Sequence, residues 1–148
     1  MSKVILVNGP SIYLDENRGS DICETNCIKE IEKRVSSVLC KRGIYYESIH
    51  TNLEEEIIVW LKKQRNADFL LLNPGSLANT SLGLREVVIE IKMPFLEVHL
   101  TYNFSCEESI YYSLFSDISV GTLVGLGIKG YFLASEFAAD FLEQDNKK

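Results

Sequence analysis

Two ionisable side chains stand two residues apart in an otherwise apolar run, F95-L-E-V-H-L100. Glu97 is one, and His99, one of the chain's two histidines, is the other. Burying such groups is costly unless they are paired. On an extended strand, residues i and i+2 share a face and lie roughly 6.6 Å apart, within reach of a glutamate bridging to an imidazole. Glu97 would then hold one ring nitrogen, favour the imidazolium and leave the other nitrogen aimed at a ligand. That is the layout of an oriented general acid or base. A buried pair that only packs has the same spacing, so the two residues alone leave both readings open.

Two other segments carry groups suited to binding. N73-P-G-S-L-A-N-T-S-L-G-L-R-E86 is a polar loop feeding a helix N-terminus, a ready site for a carboxylate or other anion. V7-N-G-P10 opens a long loop, 9–24, that carries Arg18 and could close over a ligand as a lid. G125-L-G-I-K-G130 fits the dinucleotide fingerprint literally, but it follows the last strand instead of the first, and no acidic strand comes after it. Its glycines are expected to allow close helix–sheet packing. His50 reads as a strand-end residue, Glu54–Glu56 as a solvated helix start, and Tyr45, Tyr46, Tyr111 and Tyr112 as core or interface residues.

These groups need a scaffold, and the hydrophobic pattern supplies one. KVILVN (3–8), IYYESIH (44–50), DFLLLN (68–73), FLEVHL (95–100) and SVGTLVGL (119–126) read as strands. Helices are expected over 25–41, from a cap at Asn52 onward, over 80–92, and through G130-YFLASEFAADFLEQ144. Segment 101–116 reads as a polar, aromatic loop, and 145–148 as a frayed tail. Five strands, each followed by a helix, imply an α/β fold with a parallel sheet covered on both faces. Ligands of such sheets bind beyond the carboxyl ends of the strands, where Asn8, Asn73 and His99 fall.

The length of 148 residues suits one domain spanning 1–148, with 46% hydrophobic and 24% charged residues. A net charge of −6 and the lack of a basic stripe argue against nucleic acid. No apolar run is long enough for a membrane span, and a cytoplasmic protein is expected. Cys23, Cys27, Cys40 and Cys106 read as thiols, and their spacing completes no metal-ligand set.

Taken together, the N-G-P start, N-x-x-x-x-x-x-T-S-x-x-L-R, E-V-H-L and G-x-x-V-G-L-G-x-x-G-Y resemble the type II 3-dehydroquinate dehydratases of the shikimate and quinate pathways. The resemblance runs from Val4 to about the closing helix. It implies a flavodoxin-like three-layer fold with a five-stranded parallel sheet, a homo-oligomer built from trimers (usually a dodecamer), and no cofactor or metal. It implies loss of water through an enolate-like intermediate: a loop tyrosinate takes the proton beside the ketone, and the histidine of E-V-H protonates the departing hydroxyl. The substrate would be a small carboxylate, 3-dehydroquinate or a related hydroxy-ketone or hydroxy-acid. A non-catalytic homologue that binds a carboxylate metabolite or serves as a structural oligomer is the alternative.

Carried over by position, the resemblance makes His99 the acid, Glu97 its orienter and Arg18 the residue that lowers the base's pKa. Asn73, Leu100 and Thr101 fall at binding positions, Thr101 where the family has serine. Several positions depart from the family. Cys23 stands in place of the loop tyrosine, with Tyr13 a possible stand-in. Ser11 replaces the asparagine of the enolate site, Asn79 the second histidine and Ile110 the substrate-binding arginine. Cys106 replaces another arginine, and Glu86 an aspartate that reaches the neighbouring site. A cysteine thiol has a reference pKa near 8.5 against about 10 for tyrosine, so a thiolate base is accessible, but on a shorter side chain.

Overall fold

The run KVILVN forms β1 (Lys3–Asn8), and its alternating residues feed two different cores: Val4 and Leu6 one, Ile5 and Val7 the other. A strand buried on both faces has no polar side to offer, hence its continuous apolar sequence. The computed structural model describes residues 1–10, 24–101 and 112–147. After β1 come α1 (Glu24–Lys41), β2 (Tyr45–His50), α2 (Glu54–Lys63) and β3 (Phe69–Asn73). A 3-10 turn (Gly75–Asn79), α3 (Leu82–Ile91), β4 (Phe95–His99), β5 (Gly121–Val124) and α4 (Ile128–Asp145) complete the order.

The sheet order is β2-β1-β3-β4-β5 with every neighbouring pair parallel, the flavodoxin-like arrangement. Helices α1 and α4 cover one face over Ile31, Val35, Leu39, Phe69, Leu71, Tyr131 and Ala138. Helices α2 and α3 cover the other over Ile57, Leu61, Leu70, Leu84 and Val88. Along β4, Phe95 packs into the α2/α3 core while Leu96 and Val98 pack into the α1/α4 core. Period-2 alternation therefore puts Glu97 and His99 together on the α2/α3 face.

Several boundaries differ from the sequence expectation. Asn52 does not cap α2: the N-cap is Leu53, and the neighbouring Thr51 hydroxyl accepts from Leu53 N (3.1 Å) while donating to Glu56 (2.6 Å). Glu54 is only partly solvated, because Ser81 Oγ donates to its carboxylate. Helix α3 begins at Leu82 instead of Thr80, since Ser81 is the residue whose side chain accepts from Leu84 N (3.0 Å). Segment 74–79 is not plain loop but holds the 3-10 turn. Strand β5 is half as long as expected; it stops before Gly125, whose φ is 80°, and Gly127 at the start of α4 also has a positive φ (59°). A Cβ on Gly130 would meet only ordinary contacts with Leu126 and Val98, so close packing does not demand all three glycines. Between β4 and β5 the described residues hold no helix, and 102–111 lie outside them. Tyr46 packs against the α1/α4 core, whereas Tyr45 and Tyr112 are exposed.

The loops leaving β1 and β3 are pressed backbone to backbone. Gly9 N donates to Asn73 O (2.8 Å) and Ser76 N to Pro10 O (3.1 Å). A Cβ on Gly9 would lie 2.5 Å from Pro74 O, and one on Gly75, at φ 56°, 1.7 Å from Pro10 O. Both positions require glycine. This junction sits at the carboxyl end of the two central strands.

Candidate active site

Strand pairing sets Asn8 beside Asn73, with His50 flanking Asn8 on the other side. Both asparagines are buried. Asn73 Nδ2 donates to Tyr131 OH (2.7 Å), and Tyr131 OH donates to Asn8 Oδ1 (2.6 Å), so one phenol from α4 ties the ends of β3 and β1. Asn73 Oδ1 accepts from Gly75 N (2.9 Å), which shapes the turn. Burial pushes the Tyr131 phenol far above its ordinary pKa, against the pull of the Asn73 bond. It is a permanent hydrogen-bonding group and not a base. Asn8 Nδ2 is buried with no hydrogen-bond partner among the described residues.

At the end of β4, Glu97 Oε1 lies 2.5 Å from His99 Nε2. Glu97 is fully buried and His99 slightly exposed. Two hydroxyls complete the carboxylate's shell: Ser113 Oγ donates to Oε1 and Ser116 Oγ to Oε2 (2.6 Å). Burial pushes the Glu97 carboxyl up, but His99, Ser113 and Ser116 outweigh it and hold the carboxyl below the ordinary glutamate range. The segment carrying the serines is strapped to α3. Arg85 Nη1 donates to Leu114 O (2.5 Å) and Asp117 Oδ1 (2.5 Å), Nη2 to Asp117 Oδ2 (2.9 Å), and Leu114 N donates to Ala78 O (2.7 Å). The pairing raises the Arg85 pKa and lowers that of Asp117. Among the described residues, no three His, Cys, Asp or Glu side chains gather as a metal-ligand set.

A buried carboxylate orienting a histidine at the carboxyl edge of a parallel sheet is equipped to deliver or take a proton. Residues 2–139 match the family described as dehydroquinase class II. The chain belongs to that family. A 3-dehydroquinate dehydratase of Glaesserella parasuis is 34% identical over 144 residues, covering 97% of this chain and 98% of its own. A catabolic 3-dehydroquinase of Aspergillus fumigatus is 32% identical over 140 residues, covering 94% of this chain and 93% of its own. The fold is similar to the type II dehydroquinase structure from Propionibacterium acnes, with a TM-score of 0.77 at 22% identity over 95% of this chain and 99% of that one. A 3-dehydroquinate dehydratase-like protein from Bifidobacterium longum superposes with a TM-score of 0.68 at 24% identity, over 97% and 99% of the two chains.

The residues that the dehydroquinase resemblance singles out are distributed unevenly. His99 and Asn73 end β4 and β3 as expected, Glu97 lies two residues inside β4, and Thr101, half-buried, follows β4. Asn79 is exposed at the end of the 3-10 turn, and Glu86 is exposed on α3. The Leu100 side chain packs into the α1/α4 core, and its carbonyl accepts from Gly127 N (2.9 Å). Ser11, Tyr13, Arg18, Cys23, Cys106 and Ile110 lie outside the described residues. The sequence reading missed Tyr131, Ser113, Ser116 and the Arg85–Asp117 pair. Arg85 and Tyr131 stand inside the motifs quoted from the sequence without a task assigned to them there, and the serines are signalled only by their spacing of three in a polar loop. No helix among the described residues is long and apolar enough to cross a membrane.

Proposed function

We propose that this chain dehydrates 3-dehydroquinate through an enolate-like intermediate, with His99 as the general acid and Glu97 as its orienter. The single observation that carries the reading is the fully buried Glu97 carboxylate 2.5 Å from His99 Nε2, at the carboxyl edge of the sheet. In this scheme a base on loop 9–24, the Cys23 thiolate or the Tyr13 phenolate with Arg18 beside it, takes the proton next to the ketone. The electron pair moves into the enolate, collapses to the new carbon–carbon double bond and expels the hydroxyl. His99 protonates that hydroxyl as it leaves, so water departs and the imidazole is left neutral. Glu97 stabilises the imidazolium before the transfer, which is what a carboxylate held ionised can do.

Binding of the substrate's carboxylate and hydroxyls falls to Asn73, Asn79, Thr101 and the main chain at Leu100, with Ser11 and Ile110 at the remaining positions. Glu86, exposed on α3, is free of the core, as a residue reaching a neighbouring subunit's site must be. Assembly from trimers and a cytoplasmic location belong to the same reading. Asn79 and Ile110, in place of a histidine and an arginine, favour a second version in which the same chemistry acts on a less polar hydroxy-ketone or hydroxy-acid.

The test is incubation of the purified protein with 3-dehydroquinate while following absorbance of the conjugated enone. Turnover lost in His99→Ala, with melting unchanged, supports the proposal. No enone from the wild type sinks the 3-dehydroquinate version, and undiminished turnover in His99→Ala sinks the acid role.

A further inference from the structure

Three groups hydrogen-bond to the Glu97 carboxylate: His99 Nε2 and the hydroxyls of Ser113 and Ser116. The Ser113 hydroxyl accepts from Phe115 N (3.1 Å), so its own hydrogen is directed at Glu97 Oε1. The Ser116 hydroxyl is directed at Oε2 (2.6 Å). These contacts hold the carboxyl below the ordinary glutamate range, and an ionised, acceptor-only carboxylate takes all three partners as donors. His99 Nε2 must then carry a hydrogen, and the proton that His99 exchanges with a ligand resides on Nδ1.

We propose that Ser113 and Ser116 are positioning residues, which fix His99 as the Nε2–H tautomer by holding Glu97 as a carboxylate. The catalytic part of this inference rests on His99 acting as the acid; the tautomer part does not. Glu97 alone could keep its contact with either nitrogen or either tautomer by rotating. With Oε1 and Oε2 each engaged by a hydroxyl from the segment strapped to α3 by Arg85, it cannot rotate without breaking a charge-assisted bond. The lowered Glu97 pKa agrees with that arrangement.

The first measurement is long-range 1H–15N NMR of the two imidazoles, with His50→Gln assigning His99. It is applied to wild type, Ser116→Ala, Ser113→Ala/Ser116→Ala and the hydroxyl-retaining Ser116→Thr. Wild type should show the Nε2–H pattern at high pH, where the imidazole is neutral. The double variant should show mixed tautomers, with the Glu97 carboxyl titration moved upward, and Ser116→Thr should restore the wild-type pattern. In the dehydration assay the double variant should lose about tenfold in kcat with little change in KM, while its acid limb moves to higher pH. An unmoved tautomer and carboxyl titration in a folded double variant overturns the proposal. A tautomer change in a protein that never turns over 3-dehydroquinate upholds the positioning role and rejects only the substrate. Ser113 also caps the turn at Phe115, so Ser116→Ala, which spares that bond, remains decisive should the double variant melt early.

Discussion

Asn8 and Asn73, neighbours in register at the ends of β1 and β3, are joined through one buried phenol that accepts from one and donates to the other. Tyr131 thus ties α4 to the two central strands where the candidate site begins. Tyr131→Phe would leave Asn73 Nδ2 and Asn8 Oδ1 buried and unpaired while preserving the ring's packing. Each orphaned group costs about 1–3 kcal/mol. The expected result is a melting temperature lower by several degrees, together with a raised KM. A variant that melts within a degree of wild type would show that water or rearrangement satisfies both amides.

The backbone junction below those asparagines permits a sharper case. Gly75 is left-handed at φ 56°, and a Cβ there would lie 1.7 Å from the Pro10 carbonyl oxygen. No rotamer relieves a clash between Cβ and backbone. Gly75→Ala should therefore separate the loops leaving β1 and β3 and cost about 3 kcal/mol or more. Chemical denaturation checks this, and a midpoint near that of wild type would mean that the two loops are not held in contact.

The sequence makes the central strands and the Glu97–His99 pairing legible for the same reason: both depend on period-2 alternation, which is local. What it hides depends on distant partners. Ser113 and Ser116 reach Glu97 across 16 and 19 residues, and Arg85 reaches Asp117 across 32. The Tyr131 bonds span 58 and 123 residues. A tyrosine in an amphipathic helix reads as core, and Tyr131 is core; only its hydroxyl has a second task. The misplaced cap of α2 has a different cause. The cap position falls on Leu53, whose side chain cannot cap, and the Thr51 hydroxyl accepts from its N–H instead. Segment 101–116 has no helical period of its own, and its residues 102–111 lie outside the described residues.

Acid should act on the fold through Glu97. Its carboxyl titrates below the ordinary glutamate range in the folded chain, because His99, Ser113 and Ser116 together outweigh the upward push of burial. An unfolded glutamate titrates at about 4.3. The folded state therefore binds the proton less readily, and the stability gained from the ionised carboxylate is fully present above that value. It is lost as pH falls from there through the folded pKa. The melting difference between wild type and Glu97→Gln should be present at neutral pH and shrink below about pH 4. A difference independent of pH would mean that Glu97 is not the carboxylate described.

The strap from α3 is the last element to test, because it links the helix after the binding loop to the acid pair. Arg85 holds Leu114 O and both oxygens of Asp117, and Leu114 N reaches back to Ala78 O at 2.7 Å. Ser116 sits between these anchors and Ser113 directly before the first, so loosening the segment should loosen Glu97 without touching it. Arg85 and Asp117 lie towards solvent, and the pair itself adds little to global stability. Arg85→Ala should leave the melting temperature nearly unchanged but raise amide exchange at Leu114 and Phe115 by about tenfold or more. Turnover should fall as in the serine variants. Arg85→Lys, which keeps the charge but loses the two-pronged grip on Asp117, should restore only part of the protection. Unchanged exchange at Leu114 in Arg85→Ala would show that the Ala78 bond and the packing of Phe115 hold the segment by themselves. The serines would then be positioned by the core and not by the strap.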